Sequence, residues 1–310
     1  MQQWSLSIQR QVSNDWLVSV NYLGNRALHL RASNEANPAI YVPGATLANT
    51  AQRRFLFRLN PAAGTFFSTI TQADDGANTS YHALRLSAQH RFARHFTVLS
   101  VYTYSHCLQN AQPIANRLST GSNTYQNPYN RNADYASCDS DLRHNWTSSL
   151  VYETPKFANR AVNAIAGNWR PSFLLSVRPG FLFTPVAGAD NSFSGVGQDR
   201  PNVIGNPYIK DTKSLVWLNA SSFAANAPGT FGNAGYNSLI GPGYFGLDAN
   251  LTRIFQITER HRMELRFEFF NLVNHTNFSN PVNNLRSATF GTIQSAADPR
   301  ILQFALKYSF

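Results

Sequence analysis

Arg262, Glu264, Arg266 and Glu268 place four charges at every second position. At that period they share one face of a strand, opposite Met263, Leu265, Phe267 and Phe269. Mixed signs on one face can pair with neighbouring strands or line a solute path, and pairing is the simpler use. Asp134, Asp139 and Asp141 offer oxygens for a calcium ion, but the spacing has neither the glycine nor the distal glutamate of an EF-hand. They read as solvated loop carboxylates. His82, His90 and His95 invite a metal or haem reading, yet His82 and His90 share the face of Leu84 and Leu86, so interfacial packing is simpler. Gly241 to Gly246 satisfies the G-x-G-x-x-G pattern, but a strand follows it and no helix does, so it reads as a turn. Neither a G-x-S-x-G elbow nor an H-E-x-x-H site occurs. The expectation is a protein that is not an enzyme, with no cofactor and no metal. Cys107 and Cys138 are too few for a disulfide framework or an unaided zinc site. They form one bridge or remain two thiols.

The composition bounds what could position these residues. Charged residues make up 14% of the chain and aromatic residues 13%, too little charge to cover helices in water and a mixture suited to alternating strands with polar loops. The formal charge is +10. Its arginines are scattered singly apart from Arg53 and Arg54, so no basic cluster points to nucleic acid. No run of eighteen apolar residues exists, which excludes helical membrane spans on length. Nothing divides the 310 residues compositionally, so they read as one unit.

Alternation is clearest at the C-terminus. Leu302, Phe304, Leu306, Tyr308 and Phe310 fall on one face, and Gln303, Ala305, Lys307 and Ser309 on the other. About ten alternating residues is what a tilted strand needs to cross a bilayer. Similar strands are expected at Trp4–Val12, Trp16–Leu30, Ser80–Phe92, Phe96–His106, His144–Glu153, Trp169–Val177 and Leu247–Ile257. In Phe96–His106 two outward sets remain open, Val98/Tyr102/Tyr104 and Leu99/Val101. Tight turns at Ser13–Asp15, Ala93–His95 and Thr258–Arg260 alternate with long connections at 31–79, 107–141, 184–245 and 274–299. Within the first, Phe66–Thr71 could add a short strand, and Pro155–Gly167 has room for a helical turn. Short and long connections in strict alternation are the pattern of an outer-membrane barrel, with periplasmic turns and extracellular loops. The expected fold is all-β, an antiparallel transmembrane β-barrel segment of about ten strands. Lipid-facing arginine would cost about 2–4 kcal/mol at mid-membrane, so the 262–268 charges face the lumen. The cysteines then lie outside the cell, which favours the bridge.

The stretch from Pro228 to Asp248, followed by Arg266-Phe-Glu-Phe-Phe-Asn-Leu-Val-Asn-His-Thr-Asn-Phe278, resembles the C-terminal barrel of TonB-dependent transporters, in particular their Oar-like branch. Ser80–Leu84, Tyr102–His106, Asp141–His144 and Gln198–Asn202 extend the resemblance over most of the chain. It implies a family barrel of roughly twenty-two strands, plugged by an N-terminal domain and energised through a short N-terminal box. No plug, box or signal peptide is recognisable here, so residues 1–310 are expected to be the C-terminal part of such a receptor. The expected location is the cell outer membrane of a Gram-negative-type bacterium. The implied partners are outer-membrane lipid, the barrel assembly machinery, the N-terminal barrel half with its plug, and TonB only through that plug. Phe304, Leu306, Tyr308 and Phe310 resemble the assembly signal of such barrels. The expected function is uptake of an unidentified ligand. Its rivals are a structural or adhesive surface barrel and a soluble all-β binding domain.

Overall fold

Period-two alternation needs a partner on each side of every strand, and the chain supplies it by pairing neighbours in order. The computed structural model describes residues 1–93, 95–110, 125–197 and 199–310. Arg94 of the expected 93–95 turn, residues 111–124 of the 107–141 loop, and Gln198 of the 198–202 motif lie outside the described residues. In chain order the strands are β1 (Gln2–Gln11), β2 (Trp16–Glu35), β3 (Thr71–Ala93), β4 (Phe96–Gln109), β5 (Ala136–Ser137), β6 (His144–Tyr152), β7 (Trp169–Arg178) and β8 (Leu182–Phe183). They continue as β9 (Asn202–Val203), β10 (Tyr208–Asp211), β11 (Val216–Leu218), β12 (Phe223–Ala224), β13 (Leu239–Ile240), β14 (Tyr244–Gln256), β15 (Arg262–Phe270) and β16 (Ile301–Ser309). Three short helices, α1 (Thr50–Arg53), α2 (Phe55–Leu59) and α3 (Pro61–Gly64), precede β3, and α4 (Arg160–Ala166) precedes β7.

The main sheet has ten strands in the order β1-β2-β3-β4-β6-β7-β14-β15-β16, with β5 attached to β4. Every pairing is antiparallel, and β1 and β16 are its two free edges. Register fixes the faces. Leu6 opposes Tyr22, Leu84 opposes Tyr104, Leu150 opposes Phe173, Leu251 opposes Phe267, and Phe267 opposes Phe304, giving one continuous apolar face. Many of its members are exposed, Phe304 and Leu306 by 67% and 66%, as lipid-facing side chains are when no lipid covers them. The opposite face carries Ser19 against Ser87, Asn21 against Arg85, and Asn250 against Glu268. Aromatic and histidine side chains band both ends of the apolar face, where interfacial residues belong. Tyr22 Oη shares a hydrogen bond with His82 Nδ1 (2.8 Å), Tyr102 with His144 (2.7 Å) and Tyr308 with His261 (2.7 Å). His90 is 3% exposed and stacks on Phe96 at 4.0 Å.

Two expectations are corrected. Residues 31–35 and 71–79 are not loop: β2 and β3 stay paired from Leu30 opposite Ala77 to Glu35 opposite Thr71, with bulges between Ala27 and Ala32. Composition misleads there because Ala32 and Ala77 are small for a reason; the ring of Tyr125 packs on them, and all three are nearly inaccessible. Residues 66–70 form no strand, and α1–α3 occupy part of the span that read as featureless. The second correction concerns the long connections, which hold the principal hydrophobic core. Phe183, Trp217, Leu218, Phe223, Leu239, Phe290 and Ile293 cluster there, drawn from the 182–240 and 276–293 segments. Each such burial contributes about 1.5–3 kcal/mol in water, whereas the outward row of the sheet gains nothing comparable until lipid covers it.

Candidate functional site

The charged row of β15 lies where its register puts it, on the polar face. Arg266 reaches Glu264 (3.4 Å) and Glu268 (3.6 Å) along its own strand, and Asn250 Nδ2 donates to Glu268 from β14 (3.4 Å). The pairing therefore runs mostly within one strand rather than across neighbouring strands. Arg262 sits at the short-turn end opposite Ser309. Beside the row the polar face is hollowed into a cleft of about 1210 Å³, lined by Glu153, Arg170, Asn250, Thr252, Glu264 and Arg266. Arg170 and Glu153 approach to 3.5 Å within it. Such a surface can hold water and polar solutes, and it presents both signs of charge.

Above the sheet, the long connections are tied by buried polar pairs. Arg200 donates to Asp134 (2.6 Å) and to the Ala234 carbonyl (2.7 Å), and its side chain and that of Asp134 are 5% and 1% exposed. Gln126 bridges the same groups, donating from its backbone to Asp134 and accepting from the Arg200 N–H. Asp199 accepts from Ser192 through both backbone and hydroxyl and from Asn226. Burial pushes the Asp199 carboxyl above the usual carboxylate range, despite those donors, and Asp190 adds to the rise. The folded loop thus holds that proton more tightly than the unfolded chain, a contribution fully present below the ordinary carboxylate pKa and lost as pH rises through the raised one. Burial also pushes the Tyr125 hydroxyl up to about 12.

Asp141 is 5% exposed, accepts from the Cys107 N–H (2.8 Å) and lies 3.2 Å from His106 Nδ1. Asp139 accepts from Tyr236 Oη and Asn237 Nδ2. The carboxylates expected to be solvated are thus tied into the loops, two of them buried, because donors from distant segments replace water. No cluster of three metal-ligating side chains occurs among the described residues. At Gly241 the chain turns across Gly180, where any side chain on Gly180 would strike the Gly241 carbonyl; the glycines serve close backbone approach. Cys107 and Cys138 are joined, with Cα atoms 5.3 Å apart. The bridge should restrain the 107–138 loop by about 3–4 kcal/mol on chain-entropy grounds. Intact mass before and after reduction checks it: a two-dalton gain is expected, and no gain means free thiols.

Sequence reasoning missed two kinds of residue. The asparagines after β15 act through shape: Asn271 and Asn274 adopt φ of 50° and 54°, and Asn277 both donates to and accepts from the Phe245 backbone at 2.9 Å, imitating a strand partner. Repeated Asn at 271, 274 and 277 was the available signal. Arg253 lies on the outward, apolar row, opposite Trp169 and Leu265, yet is only 8% exposed. Its partners are the Asn163 and Ile165 carbonyls of α4, which alternation does not reveal.

A sheet of long antiparallel strands, apolar outside and polar inside, with tight turns at one end and folded loops at the other, defines an outer-membrane-type β-barrel. Residues 1–303 match the family model described as outer membrane beta barrel domain, and the chain belongs to that family. It resides in the cell outer membrane. Among solved structures it resembles the outer membrane transporter YddB from Escherichia coli, with a TM-score of 0.50 at 9% identity, over 99% of this chain and 32% of that one. It also resembles BauA, the ferric preacinetobactin receptor from Acinetobacter baumannii (TM-score 0.44, 10% identity, 99% and 29% covered). The ferripyoverdine receptor of the Pseudomonas aeruginosa outer membrane gives a TM-score of 0.46 at 11% identity, with 99% and 26% covered. The chain therefore spans about a third or less of the length of these structures. No curated protein sequence matches it. The resemblance to TonB-dependent receptors holds at the level of the barrel.

Proposed function

We propose that residues 1–310 are the C-terminal barrel portion of a TonB-dependent, Oar-like receptor that takes up an unidentified ligand. The observation that carries this reading is the hollowed polar face with its two-signed lining, beneath loops that are folded and cross-tied rather than loose. A purely lipid-filling sheet has no use for either feature. TonB would act only through a plug, and the lumen charges Arg262, Glu264, Arg266 and Glu268 would meet that plug or the solute. The rival, a structural or adhesive surface barrel, draws on the exposed aromatics of the extracellular assembly, Phe66 and Phe67. The soluble alternative fits poorly with an apolar face left open across nine consecutive long strands.

Strand direction constrains how the barrel is completed. Backbone groups at an open edge cannot remain unsatisfied in lipid, so β1 and β16 need partners. Both run toward the short-turn end, since nine alternating strands begin and end in the same direction. A second copy of this chain would create parallel seams. An antiparallel closure needs an odd number of further strands from another polypeptide segment. The unboiled, heat-modifiable species extracted from outer membranes should therefore exceed the 34.6 kDa of this chain without being a whole multiple of it. A mass of one or two copies would sink this completion. For the transport reading, an upstream frame encoding a plug with an energising box is expected, together with energy-dependent uptake; a barrel encoded without a plug favours the adhesive rival.

A further inference from the structure

The connection between β6 and β7 lies at the end of the tight turns, yet it carries α4, whose surroundings do not explain it. Ala161, Val162, Ala164, Ile165 and Ala166 are exposed, Ile165 by 77%, and only Asn163 is partly covered within the helix. A seven-residue helix with so little buried surface has almost nothing to hold it in water. Its attachment is nonetheless specific. Arg253 donates to the Ile165 and Asn163 carbonyls (3.2 and 3.4 Å), Trp169 Nε1 donates to the Ile165 carbonyl (2.7 Å), and Asn159 Oδ1 accepts from the Ala161 and Val162 N–H groups.

Register decides the side on which this attachment occurs. Arg253 and Trp169 are opposite one another on the outward row, continuous with Leu251, Phe267 and Phe304. The Arg253 guanidinium lies over the Trp169 ring (5.2 Å) and the Phe255 ring (4.7 Å), both on that row. The helix is thus pinned to the lipid-facing surface at the periplasmic rim, not to the lumen. Phe157 beside it and Val162 and Ile165 on it are exposed, and Arg160 is exposed at its start with no acidic residue in the first turn.

We propose that α4 is a lipid anchor: its apolar side chains enter the periplasmic leaflet at the headgroup boundary, and Arg160 engages anionic phospholipid phosphates. An apolar helix that opens on a basic side chain at the water–lipid boundary has this binding chemistry. Arg253 satisfies the carbonyls at the end of α4, where lipid offers no donors. The inference rests on the membrane placement of the outward row, and its test separates the two. The barrel, purified as assembled in outer membranes, is given one cysteine in turn by I165C, L306C or L47C, labelled with an environment-sensitive fluorophore, and reconstituted in phosphatidylethanolamine vesicles with or without phosphatidylglycerol. The native cysteines are joined to each other, which leaves the new thiol for labelling.

The expected result is quenching at Ile165 by headgroup-proximal spin-labelled lipid, deeper acyl-chain quenching at Leu306, and quenching at Leu47 by aqueous iodide alone. A probe at Ile165 that behaves like the one at Leu47, while Leu306 reports lipid, overturns the anchor and leaves the barrel intact. Water exposure at Leu306 overturns both. In I165C carrying R160E, the extra lipid quenching that phosphatidylglycerol gives at Ile165 should be lost. Equal quenching with and without phosphatidylglycerol before that charge reversal contradicts the anionic-headgroup contact.

Discussion

Replacing Arg200 with alanine should cost the extracellular assembly about 3–5 kcal/mol, because it takes the guanidinium away from a buried carboxylate. Asp134 is 1% exposed on its side chain and receives the Arg200 guanidinium at 2.6 Å. The same guanidinium holds the Ala234 carbonyl, and Gln126 ties the Arg200 backbone to Asp134, so the cost falls on three segments at once. The pair is not expected to be intrinsically stabilising to that extent; desolvating two charges consumes most of their attraction. The double change R200M/D134L should therefore cost less than R200A alone, since it removes both buried charges together. Hydrogen exchange of the loop amides together with a denaturation midpoint reads both. The strands β14–β16 should retain their protection. A double variant that loses as much as R200A would show that packing, not the removal of one charge of the pair, sets the cost.

At the closing strand, Leu306→Arg should destabilise the inserted barrel by about 2–4 kcal/mol, whereas Lys307→Arg should be nearly neutral. The two positions are adjacent but point to opposite faces: Leu306 opposes Leu265 in the outward row, and Lys307 opposes Glu264 on the polar side. We further propose that Phe304, Leu306, Tyr308 and Phe310 form the signal read by the barrel assembly machinery. Phe304, Leu306 and Tyr308 share one row of the free edge strand, and Phe310 follows its end, 90% exposed. Deletion of Phe310 should then reduce the heat-modifiable fraction in outer membranes far more than Lys307→Ala does. Equal assembly of the two variants would contradict the signal. A Leu306→Arg barrel as resistant to unfolding in vesicles as the parent would contradict the lipid-facing assignment itself.

The barrel strands were legible because a two-sided sheet writes its faces directly into alternating residues. Trp4/Leu6/Ile8 and Leu302/Phe304/Leu306 needed only the period of two. Where both faces bear apolar side chains the period is mute, as in β4. There pairing places Val98, Tyr102 and Tyr104 outward, against Leu150, Trp146 and His144, while Leu99 and Val101 oppose Ser149 and Thr147 on the inner face. The upper parts of β2 and β3 were unreadable for a different reason. Their alanines accommodate Tyr125, which is distant in sequence, so the residue that explains their size is not local.

The loops carry the same lesson more strongly. Asp134, Asp141 and Asp199 look like ordinary loop carboxylates, and nothing beside them in the chain says they are buried. Their partners, Arg200, the Cys107 N–H and Asn226, come from elsewhere in the fold or across a turn. Arg253 is the extreme case: a charge on a lipid-facing row that is acceptable only because α4 folds back over it.

By itself the sequence determined the strand period, the alternation of tight and long connections, and therefore the class of barrel, because these depend on neighbours two residues apart and on chain length between strands. The tertiary structure alone decided which polar groups are buried, where the water-protected core lies, and that the β6–β7 connection sits on the lipid side. Those outcomes depend on contacts between segments far apart in the chain, whose desolvation costs and compensating hydrogen bonds exist only once the segments meet.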